Sequence, residues 1–200
     1  MTQQVRAHMM LSLDGFGSGV NQTRERPFGS ADPGQLGRWM FKDAENNRAE
    51  IAAITNYGAF IMGRNMFAAP GRDVWEEDWK GWWGPNPPYH APVFVLTHYA
   101  RPSIEMEGGT VFNFVTEGPD VALARARQAA GERNVAVAGG VSTTRHYLNA
   151  GAIDNLHLQI APLVLGQGER LWDGLTATLE PVGARATRFA THMDYRVVKA

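Results

Sequence analysis

Cysteine is absent from the 200-residue sequence, and this absence excludes disulfide bonds, thiolate metal ligands and thiol catalysis. A chain without cysteine fits a reducing cytoplasm, which is the location we expect. No apolar run is long enough to span a bilayer, and the run at residues 5–11 is followed too soon by Asp14 and Gly15 to be a secretory signal. We therefore expect a cytoplasmic protein without a membrane segment.

The sequence also lacks an excess of charge of either sign. Its 19 basic and 20 acidic residues give a net charge of -1, which implies no general attraction to nucleic acid or to an anionic membrane. The six histidines show neither HxxxH nor HExxH spacing, so we expect no metal site. The hydrophobic content of 44% is enough for one core but too little for two ordinary domains. We predict a single domain over residues 1–200.

Short apolar runs alternate with helix-like stretches along the middle of the chain. We predict strands at 5–11, 59–62, 92–97, 110–115, 134–138 and 153–161. We predict helices at 43–57, 118–130 and 142–149, and long loops before residue 37 and at 68–91. Residues 185–190 and 193–198 are predicted to form a closing hairpin. Strands that are joined by crossover helices must run parallel. The pattern therefore predicts an α/β protein with a mixed, mostly parallel sheet, helices on both faces and a C-terminal antiparallel hairpin.

The strongest local signal follows the strand at 134–138, where Gly139 and Gly140 precede a helix that begins near Ser142 and Thr143. Glycine lets the backbone approach an anion closely because it has no Cβ atom. The first turn of a helix adds unpaired N–H groups and the positive end of the dipole. Two interpretations stay open here: a phosphate-binding turn, and a tight turn with a capping hydroxyl. The segment lacks the GxGxxG fingerprint of dinucleotide-binding folds.

Two other predicted strands end in groups that suit phosphate. Gly63 and Arg64 follow the strand at 59–62, and the planar guanidinium of an arginine matches a phosphate group. The alternative is a surface arginine paired with Asp73 or Glu76. The strand at 92–97 ends in a polar run, residues 97–101, that could hold a 2′-phosphate or could be an ordinary polar strand end. Because parallel strands share one carboxyl edge, we expect residues 63, 97 and 139 to lie close together.

Five motifs in this order resemble the dihydrofolate-reductase-like family, in particular the branch related to the reductase domain of riboflavin biosynthesis. They are SLDG (12–15), MGR (62–64), PYHAPVFVLTH (88–98), GG (139–140) and APLVLGQG (161–168). The resemblance implies a dihydrofolate-reductase-like three-layer fold and an oxidoreductase that uses NADPH. It also implies a small heterocyclic or sugar-like substrate that accepts a hydride.

The resemblance further implies which residues contact the cofactor. Gly63, Arg64 and Asn65 would lie on the phosphate side, and Thr97 and His98 near the adenosine 2′-phosphate. Gly139 and Gly140, joined by a cis peptide, would contact the pyrophosphate, with Val141, Ser142 and Thr143 as helix N-terminal donors. The loop of residues 13–19 would cover the nicotinamide, near which lie Leu13, Gly15, Leu165 and Gly166. Met66 departs from the family pattern, because dihydrofolate reductases carry threonine there. The corresponding hydroxyl contact to phosphate is therefore missing.

Asp14 is the candidate catalytic residue, because it lies in the loop predicted to cover the nicotinamide and could contact a substrate hydroxyl or carbonyl. The alternative is that Asp14 simply forms the turn before Gly15. Dihydrofolate reductase supports protonation with a carboxylate on its first long helix. Neither Asp43, Glu45 nor Glu50 matches that position, which argues against folate reduction.

The best specific hypothesis is an activity like that of 5-amino-6-(5-phosphoribosylamino)uracil reductase. The alternatives are dihydrofolate reduction and a non-catalytic nucleotide- or flavin-binding protein. A substrate phosphate requires cations, which the residues Arg24, Arg26, Arg38 and Lys42 could supply unless they form a solvated face. The tryptophans of the 68–91 loop could line an aromatic pocket, but we favour a structural role. That loop and the segments 156–160 and 161–168 carry apolar surface, so we expect a homodimer.

Overall fold

The computed structural model of the chain describes residues 2–70 and 74–199. Strands account for much of this part of the chain. They are β1 (Val5–Ser12), β2 (Phe16–Ser18), β3 (Ala59–Gly63), β4 (Pro92–Leu96), β5 (Ile104–Glu105), β6 (Val111–Val115), β7 (Val135–Gly139), β8 (Asn155–Ala161), β9 (Glu169–Arg170), β10 (Thr178–Ala186) and β11 (Thr191–Val198). Each predicted central strand is present within one or two residues of its predicted bounds.

Helices connect the central strands. They are α1 (Pro33–Leu36), α2 (Arg38–Lys42), α3 (Arg48–Thr55), α4 (Arg64–Phe67), α5 (Pro119–Ala130) and α6 (Val141–Asn149), with 3-10 turns at Ala44–Asn47 and Glu107–Gly109. Pro119 lies in the first turn of α5, where its missing N–H costs no hydrogen bond.

Nine strands form the main sheet in the order β10-β11-β8-β1-β7-β3-β4-β6-β5. The six strands from β8 to β6 run parallel to one another, whereas β5, β10 and β11 pair antiparallel at the two sides. The predicted mixed, mostly parallel sheet with a C-terminal antiparallel hairpin is confirmed. All the parallel strands end at one edge, which we call the carboxyl edge, and ligand sites of open α/β sheets lie there.

The sheet buries a hydrophobic layer on each face. On one face Ile61 and Val137 pack in the same cluster as Ala122 and Ala126 of α5 and the first and last turns of α6. On the other face lies Phe67 of α4, in a cluster with alternate residues of β3 and β4. Side chains of successive strand residues point to opposite faces, so short apolar strands fill both layers. Helices therefore cover both faces, as predicted.

The tryptophan-rich loop has a structural role on the second of these faces. Trp75 and Trp79 pack against the cluster that contains Phe67, and their indole N–H groups donate to the carbonyls of Tyr99 and Phe67 at 2.9 and 2.7 Å. Trp83 stacks on Phe112 with ring centroids 5.9 Å apart. This loop is irregular through residues 74–91, as predicted, and residues 71–73 lie outside the described residues.

Two predicted boundaries are wrong. The predicted helix at 43–57 is a 3-10 turn followed by the shorter α3, because the Asn47 amide donates to the carbonyls of Asp43 (2.6 Å) and Trp39 (3.2 Å) and competes with regular helix bonds. The first strand of the C-terminal hairpin is β10 (Thr178–Ala186), which begins earlier than the predicted range of 185–190. Thr187 closes a turn by donating its amide to the carbonyl of Ala190 at 2.8 Å.

The long loop predicted before residue 37 also contains short elements that the sequence did not indicate. α1 begins at Pro33 after Asp32, whose carboxylate accepts a hydrogen bond from the Gly34 amide at 2.8 Å. β2 pairs with β9, which ties the loop after β1 to the segment after β8. The start of the loop is therefore held against the sheet.

Candidate functional site

A glycine pair forms the turn between β7 and α6. Gly139 and Gly140 are joined by a cis peptide, as the family resemblance implies. Gly139 has φ +122°, which L side chains rarely adopt, and a Cβ atom there would lie 2.8 Å from Sδ of Met66. Gly140 has ordinary extended dihedrals, yet among the described residues no heavy atom beyond its two chain neighbours lies within 4 Å of the place where its Cβ would be. The backbone of Gly140 therefore borders open space.

The end of β3 lies directly beside this glycine pair. Met62 pairs with Gly139 on one side and with Val95 of β4 on the other. A Cβ atom on Gly63 would collide with Oγ1 of Thr143 and would lie 3.8 Å from the Gly140 amide nitrogen. The expected convergence of the segments that carry residues 63, 97 and 139 is therefore present at the carboxyl edge.

Helix α6 begins at this point with its N-terminal donors exposed to the same space. Gly140 is its N-cap residue and offers no side-chain cap. Val141 is buried, Thr143 is half-buried and Ser142 is exposed. Amides in the first turn of an α-helix have no partner within the helix, and the dipole adds positive potential. We call Gly63, Gly139, Gly140 and this first turn the glycine cradle, and its chemistry suits a phosphate group.

Two arginines meet on one aromatic ring beside the glycine cradle. The guanidinium carbons of Arg64 and Arg101 lie 4.8 and 5.3 Å from the ring centroid of Trp75. Burial lowers the pKa of Arg101, although Asp78 opposes this effect, and its Nη1 has no hydrogen-bond partner among the described residues. Arg64 Nη1 donates to the Ala69 carbonyl at 3.2 Å. This pair forms a cationic surface at the ends of β3 and β4.

Thr97 and His98, predicted near the 2′-phosphate, and Asn65, predicted on the phosphate side, differ in their exposure. Thr97 is buried, and its hydroxyl is used within the chain because it accepts from the Tyr99 amide at 3.0 Å. His98 and Asn65 are exposed to solvent. Asp73, the alternative partner considered for Arg64, lies outside the described residues, and Glu76 accepts a hydrogen bond from Arg24.

Asp14 joins the loop after β1 to the segment after β8. Its carboxylate accepts hydrogen bonds from the Ser12 hydroxyl (2.6 Å) and from the amides of Leu165 (3.1 Å) and Gly166 (2.7 Å). Desolvation opposes ionisation, but the three donors together outweigh it and lower the pKa of Asp14 to about 2. Asp14 is ionised at neutral pH, which makes it a poor proton donor. Its predicted contact with a substrate stays a prediction.

The same loop passes over the edge of the sheet next to α6. The Leu13 amide donates to the Leu163 carbonyl at 2.8 Å, while the Leu13 side chain is 66% exposed. Gly17 lies so close to α6 that its Cβ would be 2.6 Å from Cγ2 of Val141. Gly15 is equally confined, because a Cβ there would collide with the indole of Trp172. Leu13, Leu165 and Gly166 thus lie at one end of the glycine cradle.

The acids of the predicted first helix have other partners. Glu50 accepts from Arg185 at 2.6 Å, and Asp43 accepts from Asn46 at 2.7 Å. Asn47 is buried and accepts a hydrogen bond from His192 at 2.8 Å. Glu45 pairs with Arg48 at 3.6 Å, so each of these three acids has a partner within the chain.

The four cations considered for a substrate phosphate fall into separate places. Arg24 forms ion pairs with Glu76 and Asp78. Arg26 lines a groove formed by residues 25–33, whereas Arg38 and Lys42 line a second pocket. Arg101 lies in the polar run 97–101 that the sequence offered for a 2′-phosphate. The residues that join Arg38 and Lys42 in the second pocket, Arg188 and Phe189, were not predicted because they are distant in sequence.

Within residues 2–70 and 74–199 there is no group of three histidine or acidic side chains that could hold a metal ion. Over the same residues no helix has the length and apolar character needed to cross a membrane.

The sheet order and the glycine pair at the end of a central strand define a dihydrofolate-reductase-like fold. The structure is similar to that of dihydrofolate reductase from Enterococcus faecalis complexed with NADP(H), with a TM-score of 0.55 and 15% identity over 98% of this chain and 97% of that chain. The chain belongs to the RibD C-terminal domain family, whose model matches residues 3–191. The family resemblance stated from the sequence is confirmed.

Two other solved structures have the same fold. A pyrimidine reductase-like protein from Corynebacterium diphtheriae has a TM-score of 0.60 and 14% identity over 99% of this chain and 93% of that chain. The riboflavin biosynthesis reductase of Saccharomyces cerevisiae has a TM-score of 0.60 and 13% identity over 98% and 90%. A comparison with curated proteins found no match to the sequence. At these identities the structural similarity establishes the fold alone.

Proposed function

We propose that the protein is an NADPH-dependent reductase of the riboflavin-pathway type. The observation that carries this proposal is the glycine cradle, where Gly63 and Gly140 lie side by side at the start of α6. Gly140 faces open space that a side chain would fill. An uncapped helix N-terminus beside a bare backbone fits the pyrophosphate of a dinucleotide.

The chain's own residues would hold the cofactor in three places. The amides of Gly140 and of the first turn of α6, with the Ser142 and Thr143 hydroxyls, would bind the pyrophosphate. Arg64 and Arg101 would bind the 2′-phosphate, because guanidinium groups pair with phosphate through two parallel hydrogen bonds. These two cations favour NADPH over NADH.

The loop after β1 and the segment after β8 would enclose the nicotinamide. Leu13 and Leu165 supply apolar surface that excludes water from this end of the site. Asp14 keeps the two segments together through its three acceptor contacts and so positions Gly166. The cofactor supplies a hydride when it is bound, and we expect the accompanying proton to come from solvent because Asp14 is ionised.

A phosphoribosylamino-pyrimidine is the substrate that we favour. The chain belongs to the RibD C-terminal domain family, and the relatives of similar fold include a riboflavin biosynthesis reductase and a pyrimidine reductase-like protein. Dihydrofolate is less favoured, because Glu50 and Asp43 are engaged with Arg185 and Asn46. The reaction would reduce the ribosyl carbon–nitrogen unit of 5-amino-6-(5-phosphoribosylamino)uracil.

The test is a fluorescence titration with NADPH and NADH, followed by an absorbance assay of NADPH oxidation with 5-amino-6-(5-phosphoribosylamino)uracil and with dihydrofolate. We expect tighter binding of NADPH and turnover of the pyrimidine. Tight NADPH binding without oxidation across a panel of pyrimidines, pterins and quinones would favour a non-catalytic binding protein. Absence of binding to either nucleotide would reject both functions.

A further inference from the structure

A basic pocket lies at the carboxyl edge on the other side of β1 from the glycine cradle. It is formed by the α1–α2 segment together with the turn between β10 and β11. Arg38 and Lys42 contribute two cations from α2, and Arg188 contributes a third from the turn. Phe189 lines the same pocket and is half-buried.

Two of these cations share one aromatic ring. The guanidinium carbons of Arg38 and Arg188 lie 4.2 and 5.0 Å from the ring centroid of Phe189. Within the described part of the chain, neither arginine nor Lys42 forms an ion pair. Among the lining residues the one carboxylate is Asp32, which accepts from the Gly34 amide at 2.8 Å. Arg38, Lys42 and Arg188 are all exposed, so the pocket presents an excess of positive charge to solvent and to any anion that reaches it.

The pocket adjoins the proposed reductase site. Leu36 of α1 packs with Ala161 and Leu165, and Thr191 at the start of β11 pairs with Ile160. The pocket therefore flanks the end of β8, which is separated from β7 by β1 alone. Neighbouring strands lie about 4.8 Å apart, so the pocket is roughly 10–15 Å from the glycine cradle. One elongated small molecule can reach both places.

We propose that Arg38, Lys42 and Arg188 bind the dianion of a phosphate monoester. Two guanidinium forks and an ammonium provide the hydrogen-bond donors that phosphate oxygens require, and their three positive charges are sufficient to neutralise its two negative charges. The phosphate belongs either to the far end of the reductase substrate or to a separate phosphate ester. A role in holding the phosphate of the reductase substrate rests on the proposed function, whereas the binding of phosphate in this pocket does not.

The test measures binding of inorganic phosphate and of ribose 5-phosphate by titration calorimetry, with Arg38→Met, Arg188→Met and Lys42→Met. We expect each arginine variant to weaken both affinities by about tenfold or more, because a charge-assisted hydrogen bond is lost. Arg48→Met removes the same charge from an exposed site on α3, where the side chain is 79% exposed, and should leave both affinities unchanged. Circular dichroism melts identify any variant that fails to fold. The phosphate affinities of the pocket variants that do fold then test the proposal.

Phosphate binding that survives all the folded pocket variants, or that is absent from the native protein, overturns the proposal. NADPH affinity is measured in parallel, so that loss of the proposed function is recognised separately. If Arg188→Met raises KM for a phosphorylated substrate at unchanged kcat, the pocket holds the substrate phosphate. If phosphate affinity falls while KM is unchanged, the pocket holds a separate phosphate ester. Both outcomes support the site.

Discussion

Gly140→Ala separates cofactor binding from folding. Gly140 has φ -71° and ψ -166°, dihedrals that alanine adopts freely. In the part of the chain that the structure describes, the new methyl group would meet no heavy atom within 4 Å other than those of its two chain neighbours. The free energy of unfolding should therefore change by no more than about 0.5 kcal/mol. In a chain of this length the Tm should shift by no more than about 2 °C.

Cofactor affinity should respond very differently. The methyl group enters the space beside Gly63 and the first turn of α6, where the pyrophosphate would lie. Forcing an extra carbon into a close-packed contact costs about 1–3 kcal/mol, which raises the Kd for NADPH about 5- to 150-fold. A fluorescence titration with NADPH measures this change directly.

Gly183→Ala is the matched control for this substitution. Gly183 lies on the edge strand β10, and its Cβ would meet Oδ2 of Asp194 at 3.9 Å, an ordinary van der Waals contact. This variant should fold and bind NADPH as the native protein does. A Gly140→Ala protein with native Tm and native NADPH affinity would refute the assignment of the glycine cradle to the pyrophosphate.

Three more predictions concern the loops, the pH dependence of stability and assembly. Asp14→Ala removes the acceptor of the Leu165 and Gly166 amides, so their hydrogen exchange should accelerate about tenfold, whereas unchanged exchange would contradict the contact. Burial lowers the pKa of His8 from 6.5 to about 3, so between these values only the unfolded chain binds the proton. Stability should fall as the pH drops below 6.5, and His8 alone should contribute about 1.4 kcal/mol of this loss at pH 5.5. Urea denaturation should show a smaller loss for His8→Gln than for the native protein, and the remainder is expected because burial also lowers the pKa of His192. The apolar surface of segment 161–168 should support a homodimer, and a monomer in sedimentation velocity at micromolar concentration would reject it.

The parallel core was predictable because its signals are local. Each central strand is a short apolar run, and Gly63 and Gly139 mark the places where two of them end. Parallel strands share one edge, so the convergence of these glycines followed from the strand–helix alternation alone. The open face of Gly140 is a tertiary property that only the coordinates reveal.

The features that the sequence missed depend on contacts distant in sequence. Asn47 ends the 3-10 turn because its side-chain amide donates to the Asp43 carbonyl and its side-chain oxygen accepts from His192. Helix propensity does not include contacts of this kind. Arg188 and Phe189 come from a turn that follows the edge strand β10. Arg188 is 150 positions from Arg38 in the sequence, and only folding brings Phe189 against Arg38. Pairings of this kind leave no periodic signal.

The most direct test of the account is a crystal structure of the protein soaked with NADPH. We predict that the pyrophosphate lies against Gly140 and the first amides of α6, with the 2′-phosphate beside Arg64 and Arg101. A dinucleotide bound away from this edge, or crystals that take up none at saturating NADPH, would contradict it.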